Sequence, residues 1–151
     1  MSKKLRICIS SFIKQVFENF GEMSAAKLIE ANYSLKIVKT LVFCVLKALS
    51  AAHAGGIIHR DIKPQNVVVE KETGRARLID WGLAEFYEPG KDLNVRVSTK
   101  PFKPPEILLN YRYYDCSFDM WGVGCLLACL VNLAAASTAT FNSCRRFKRT
   151  T

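Results

Sequence analysis

The sequence predicts an α+β fold, mainly helical with one short β-hairpin. Three stretches carry that reading: a segment with helical apolar spacing, two short runs joined across a glycine, and a long uncharged apolar segment downstream. In chain order, Phe12, Ile13, Val16, Phe17 and Phe20 suggest a helix or a strand-helix junction. Leu35, Val38, Val42, Val45 and Leu49 then fall on one helical stripe, and Gly55-Gly56 closes that helix. Ile57-Ile58 and a polar loop follow. Val67-Val68-Val69 and Ala76-Arg77-Leu78-Ile79 read as strands paired in a hairpin, with Gly74 at the turn. Residues 83–105 lack periodicity and hold Pro89-Gly90, Pro101 and Pro104-Pro105, so they read as an extended loop of the length that is usually functional. Residues 119–133 form an apolar helix, and no charge occurs over 120–144. That pattern resembles a membrane span with a basic flank. Polar Asn132, Ser137, Thr138, Thr140, Asn142 and Ser143 favour instead a helix buried on all sides in a soluble core.

A chain of 151 residues has the length of one domain, and with half its residues hydrophobic it does not fit disorder caused by low hydrophobicity. The net charge of +9 favours acidic or phosphate-bearing partners. Six cysteines include no C-x-x-C pair and the two histidines are His53 and His59, so zinc-cluster spacing is missing. The basic start, Met1-Ser2-Lys3-Lys4-Leu5-Arg6, leads into no clear cleavage site and is read as no signal peptide. A reducing cytoplasmic or nuclear compartment is expected.

The chemistry sits in spacing. His59-Arg60-Asp61-Ile62-Lys63-Pro64-Gln65-Asn66 places an aspartate five residues before an asparagine, with a lysine between them. Phosphoryl transfer needs a carboxylate beside the attacking hydroxyl, a cation near the transferring phosphate and an oxygen ligand for magnesium, and one tight loop can present all three. Fourteen residues beyond Asn66, after the hairpin, stands Asp80-Trp81-Gly82. Either motif alone reads as a polar turn; together, in order across a short hairpin, they point to one site. Pro104-Pro105-Glu106 and Asp119-Met120-Trp121-Gly122-Val123-Gly124 follow. Asp119 by itself reads equally well as a helix-capping carboxylate.

These motifs resemble eukaryotic protein kinases. The strings Arg77-Leu78-Ile79-Asp80-Trp81-Gly82-Leu83-Ala84-Glu85-Phe86-Tyr87 and Asn94-Val95-Arg96-Val97 resemble, more narrowly, the catalytic (alpha) subunits of casein kinase II. The resemblance covers about residues 35–131 and reaches back to Phe17-Glu18-Asn19 as a hinge between lobes. It implies a kinase-like large (C-terminal) lobe with the small lobe mostly absent. Residues 1–34 would be a remnant of the hinge and first large-lobe helix, 35–131 a partial large lobe, and 132–151 a divergent basic tail. It further implies Asp61 as base, Lys63 as cation, and Asn66 and Asp80 as magnesium and nucleotide ligands. Thr99 would contact the base and cation, while Arg96, Lys100 and Lys103 would read acidic residues in the substrate. His59, Arg60, Trp81, Gly82, Glu106 and Asp119 would be structural supports, Asp119 holding the catalytic-loop backbone. Arg60 belongs to a motif that often binds an activation-loop phosphate, for which Ser98, Thr99 and Tyr87 are acceptors, but the casein kinase II resemblance implies activity without one.

The implied activity is serine/threonine phosphorylation of acidic proteins with Mg2+ and ATP, or GTP, and the implied protein partner is the casein kinase II regulatory (beta) subunit. No G-x-G-x-x-G precedes His59, and the 58 residues upstream are too few for a small lobe, hinge and connecting helices. Little activity is therefore expected of this chain alone, and an exposed apolar patch is expected on the helix after Asp119. Pro101 replaces an aromatic residue and Pro104 a glycine of the family pattern, which bears on the substrate-loop geometry. The second reading is a non-catalytic kinase-fragment interaction protein that binds acidic partners or a regulatory subunit through Arg96, Lys100 and Lys103. A third, a nucleic-acid or membrane-surface binder through residues 3–6 and 145–149, rests on charge alone; specific nucleic acid and membrane are not expected partners.

Overall fold

The computed structural model describes residues 23–30, 33–70 and 72–136. The expected hinge at Phe17-Glu18-Asn19, the apolar residues 12–20 and the basic cluster 145–149 lie outside them. Strand β1 (Met23–Ser24) leads into helix α1 (Ala25–Glu30), and helix α2 spans Leu35–Ala54. Strand β2 (Ile57–Ile58), the loop, and strands β3 (Val67–Val69) and β4 (Ala76–Leu78) follow. Strand β5 (Glu85–Phe86), helix α3 (Pro105–Leu108) and helix α4 (Ser117–Ala136) complete the order. The fold is α+β, with short antiparallel sheets set among helices.

α2 forms because apolar residues recur at helical spacing, but the buried stripe differs from the expected one. Val38, Leu41, Val45 and Leu49 are buried, Val42 sits at the edge, and Leu35 is exposed at the first turn. The stripe steps by three, four and four residues, so it follows the 3.6-residue period, and Leu35 lies off it. The helix stops at glycine: the Gly56 amide donates to the His53 carbonyl at 2.9 Å with Gly56 in the left-handed region.

The expected hairpin is present, with Val67 paired to Leu78 and Val69 to Ala76. Gly74 has φ +72°, and a Cβ there would meet Ile37 of α2 at 3.1 Å, so both conformation and space require glycine. β1 adds to the other edge of β3, giving the order β1-β3-β4, while β2 pairs with β5. Residues 83–105 are therefore not wholly without structure. They contain β5 and a 3-10 turn at Lys100–Phe102.

One core joins Ala25 of α1, the α2 stripe, Val67, Val69 and Leu78 of the hairpin, and Val123, Leu126 and Leu130 of α4. Ile62 of the catalytic-loop motif belongs to it, so the loop is anchored in the interior. A second core, formed by Ile58, Leu93, Val97, Ile107, Tyr114 and Phe118, ties down the long segment after the hairpin. Leu41→Ala or Leu126→Ala should cost about 2–5 kcal/mol of stability, against roughly 0.5 kcal/mol or less for Leu35→Ala. Urea unfolding midpoints check this ranking.

α4 corrects the expectation of burial on all sides. Val123, Leu126 and Leu130 face the core, whereas Met120, Trp121, Leu127 and Val131 are exposed among the described residues. No helix of the described residues is long and apolar enough to cross a membrane.

Candidate active site

The loop after β2 is tied into shape by its own side chains. Pro64 opens a 3-10 turn over Pro64–Asn66, and its fixed φ suits that first position. The turn brings Asn66 back to Asp61: the Asn66 side-chain nitrogen donates to both the Asp61 carbonyl and Asp61 Oδ2, each at 2.9 Å. Both amide protons are thereby used, which leaves Asn66 Oδ1 as the oxygen available to a ligand. Lys63 Nζ lies 2.6 Å from Asp61 Oδ2 and 3.1 Å from Thr99 Oγ1. Thr99 Oγ1 lies 3.2 Å from Asp61 Oδ1. Asp61, Lys63, Asn66 and Thr99 thus form one interlocked group, although Thr99 is 38 residues away in sequence.

His59 connects this group to Asp80. The Asp61 amide donates to His59 Nδ1, so the ring proton sits on Nε2, which donates to the Ile79 carbonyl at 3.1 Å. The Ile79 amide donates in turn to the Asn66 carbonyl at 2.9 Å, fixing the residue before Asp80 from both sides. Burial holds the His59 pKa below its ordinary value near 6.5, and this outweighs the opposing pull of Asp119, Ile79, Asp61 and Asp80. His59 accepts from the Asp61 amide and donates to the Ile79 carbonyl, so the backbones that carry Asp61 and Asp80 meet at one imidazole. Because native His59 resists protonation, the unfolded chain binds the extra proton below pH ~6.5, and stability should fall as pH drops below that value. The slope contributed is at most about 1.4 kcal/mol per pH unit. Urea unfolding at pH 7.5 and 5.5 should show the fall in the wild type and a smaller one in His59→Phe.

Asp80 adopts the left-handed conformation and is exposed, with no hydrogen-bond or ion-pair partner among the described residues. Gly82 leaves room for it, since a Cβ there would stand 3.2 Å from Asp80 Oδ1. Trp81 is held edge-on to His59 with ring centroids 4.6 Å apart, and its indole N–H donates to the Leu78 carbonyl. The open carboxylate of Asp80 and the free amide oxygen of Asn66 are hard oxygen donors of the kind that suits Mg2+, which takes further ligands from phosphate and water. No cluster of three or more His, Cys, Asp or Glu forms a separate metal cage among the described residues.

Asp119 lies in the first turn of α4 and is fully buried, yet it does not cap that helix. Its Oδ2 accepts the His59 amide and its Oδ1 the Arg60 amide, both at 2.8 Å. Asp115 carries the capping role: its Oδ1 accepts the Ser117 amide at 2.7 Å. Gly122, one turn on, lets Ile62 approach, because a Cβ there would lie 2.7 Å from the Ile62 Cβ. Gly122→Val should cost about 1–3 kcal/mol through overpacking, readable as a lowered urea midpoint.

Arg60 is buried with φ +68°, and its guanidinium is used internally. Nε donates to the Leu83 carbonyl at 2.7 Å, one terminal nitrogen reaches Tyr114 Oη at 3.1 Å, and the other lies 3.7 Å from Glu85. Tyr114 donates to the Asn94 carbonyl, and burial pushes its pKa up. Of the three expected substrate-reading cations, Arg96 and Lys100 are exposed, while Lys103 turns inward and donates to the Val97 carbonyl at 2.8 Å. Pro101 fits inside its 3-10 turn and Pro104 precedes α3 with φ −70°, so both prolines are accommodated. Glu106 is half-buried, with its backbone carbonyl accepting the Tyr111 amide. The motifs did not reveal His53, Glu85 and Tyr114; the helix carries two glycines, Gly122 and Gly124, and only Gly122 marks a close contact.

A family model described as the protein kinase domain matches residues 10–144, which takes in every described element. With nearly the whole chain matched and the two acidic motifs drawn around one histidine, this chain belongs to the protein kinase domain family.

Proposed function

We propose that the chain is a serine/threonine kinase of casein kinase II catalytic-subunit type, built on the large lobe, which phosphorylates acidic proteins. The observation that carries the reading is the interlocked group of Asp61, Lys63, Asn66 and Thr99, to which Asn66 and His59 tie the residue before the open carboxylate of Asp80. Asn66 Oδ1 and Asp80 would hold Mg2+, which when bound with ATP or GTP neutralises the phosphates and presents the γ-phosphoryl group. Asp61 takes the proton of the incoming serine or threonine hydroxyl as its oxygen bonds to phosphorus and the bond to the leaving nucleotide breaks. Lys63, steadied by Thr99, places positive charge beside that transfer. The internal partners of Arg60 support a segment held in place without phosphorylation at Ser98 or Thr99. Arg96 and Lys100 pair with Asp, Glu or phosphoserine in the substrate. A cytoplasmic or nuclear setting and a casein kinase II regulatory (beta) subunit belong to the same reading.

The exposed Met120, Trp121, Leu127 and Val131, with exposed Arg96 and Lys100, favour the second reading, a non-catalytic protein that binds acidic partners. Incubation with Mg2+, labelled ATP and an acidic serine peptide, in parallel with Asp61→Asn, separates the two. Equal background in both proteins, with peptide binding kept, leaves only the second.

A further inference from the structure

We propose that the outward face of α2 is a docking surface for an acidic amphipathic helix of a partner protein. The proposal does not depend on catalysis, and it uses residues other than Arg96 and Lys100. Val38, Leu41, Val45 and Leu49 turn one side of α2 into the core. At about 100° per residue the opposite side carries two rows: Lys36, Phe43 and Lys47 in one, Leu35, Lys39 and Leu46 in the other. All six are exposed, and they extend over about 18 Å of the helix axis. Phe43 is 66 % exposed in the middle of the helix. Three large apolar side chains on one helix face form a cluster, unlike the scattered single ones that are normal on a surface.

The charge of this face specifies the partner. α2 holds no aspartate or glutamate, and Lys36, Lys39 and Lys47 make no ion pair among the described residues. The hairpin turn that meets Ile37 carries Glu70, Lys71, Glu72 and Arg75, whose charges cancel, so the lysines set the sign of the face. Water solvates an exposed lysine well enough by itself; the alternation of lysine with apolar side chains is what calls for a partner. A helix that interleaves Glu or Asp with Leu or Ile at i, i+3, i+4 and i+7 covers Phe43 and Leu46 and pairs the ammonium groups at the same time. The complementary charge also speeds the encounter. A lipid surface fits less well, because a helix that lies in a bilayer needs its apolar residues gathered in one stripe with the lysines outside it. Here Lys39 stands between Leu35 and Leu46, and Lys36 and Lys47 bracket Phe43. The core holds the other side of α2, so the face is presented ready-formed, which lowers the entropy cost of docking.

The test titrates the full chain with a labelled synthetic helical peptide that repeats Glu and Leu along one face, beside a scrambled peptide of the same composition. The patterned peptide should bind about tenfold tighter than the scrambled one, and its affinity should fall as salt rises. The combined variant Lys36→Glu, Lys39→Glu and Lys47→Glu should weaken binding by about tenfold or more, and Phe43→Ala by about tenfold. Urea midpoints check that the variants stay folded, and if the charge reversal unfolds the chain, Lys→Gln at the same three positions decides. Arg96→Ala with Lys100→Ala should leave the affinity within about twofold, which separates this face from the acidic-substrate site. Equal affinity for the scrambled peptide overturns the proposal, and so does undiminished binding in the lysine variant. Loss of binding in the Arg96 and Lys100 variant overturns it by placing the peptide at the substrate site. Co-sedimentation with phosphatidylserine vesicles that depends on the same lysines, without peptide binding, gives the face to a lipid surface and overturns it. Self-association abolished by Phe43→Ala, again without peptide binding, gives the face to a second copy and overturns it. A wild-type chain without turnover removes the kinase reading alone, and the peptide titration still decides the role of α2.

Discussion

Asp119→Ala should lower the stability of the chain by about 3–5 kcal/mol, more than most single substitutions in the apolar core. The carboxylate has no exposure and takes three donors at 2.8 Å: His53 Nε2, the His59 amide and the Arg60 amide. Removing it leaves three buried or half-buried donors without an acceptor, each costing about 1–3 kcal/mol before water enters. It also frees Arg60 from a backbone conformation that its surroundings impose. Asp119→Asn keeps one acceptor oxygen but turns an N–H toward a donor, so roughly half the loss should remain. Urea unfolding at neutral pH measures both, and a loss below about 1 kcal/mol for alanine would show that the three bonds are dispensable.

Asp61→Asn should reduce turnover by a factor on the order of 10²–10⁴, the usual value of a positioned proton acceptor. Asparagine has the same shape but accepts no proton, and its amide nitrogen would face Lys63 Nζ or Thr99 Oγ1, which lie 2.6 and 3.2 Å from the two carboxylate oxygens. Nucleotide KM should change little, because Asn66 Oδ1 and Asp80 stay available. Asp61→Glu should also be poor, since a carboxylate displaced by about 1 Å loses the alignment that the reaction needs. Initial rates on an acidic serine peptide at varied ATP resolve kcat from KM. If Asp61→Asn keeps more than about a tenth of wild-type turnover, Asp61 is not the base.

What could be read directly was local. α2 was legible from its apolar period and its terminal glycines, and the hairpin from Val67–Val69, Gly74 and the run from Ala76. Leu35 was misplaced because the first turn of a helix has no packing turn beneath it, so an apolar residue there is exposed at little cost. β1 and β5 are two-residue strands that exist through their partners and carry no periodic signal of their own. α4 is apolar all round, and such a sequence does not say which face meets the core.

The candidate site divides in the same way. Asp61, Lys63 and Asn66 lie within five residues, so one short loop dictates their contacts and the motif could be read by eye. The alternative roles for Asp119, loop support or helix cap, were equal in the sequence. Tertiary structure separated them by turning Asp119 to the loop and giving the cap to Asp115. Arg60, Glu85 and Tyr114 meet across 25 and 54 residues, a coincidence that no local pattern records.

The sequence by itself determined the helix, the hairpin and the spacing of the two acidic motifs, because backbone propensity and side-chain period act over a few residues. The convergence of those motifs on His59, the burial of Asp119 and its link to His53, and the inward turn of Lys103 were decided by the tertiary structure. Each depends on which distant surfaces exclude water from one another, and a carboxylate or lysine acquires its partner only when that packing is complete.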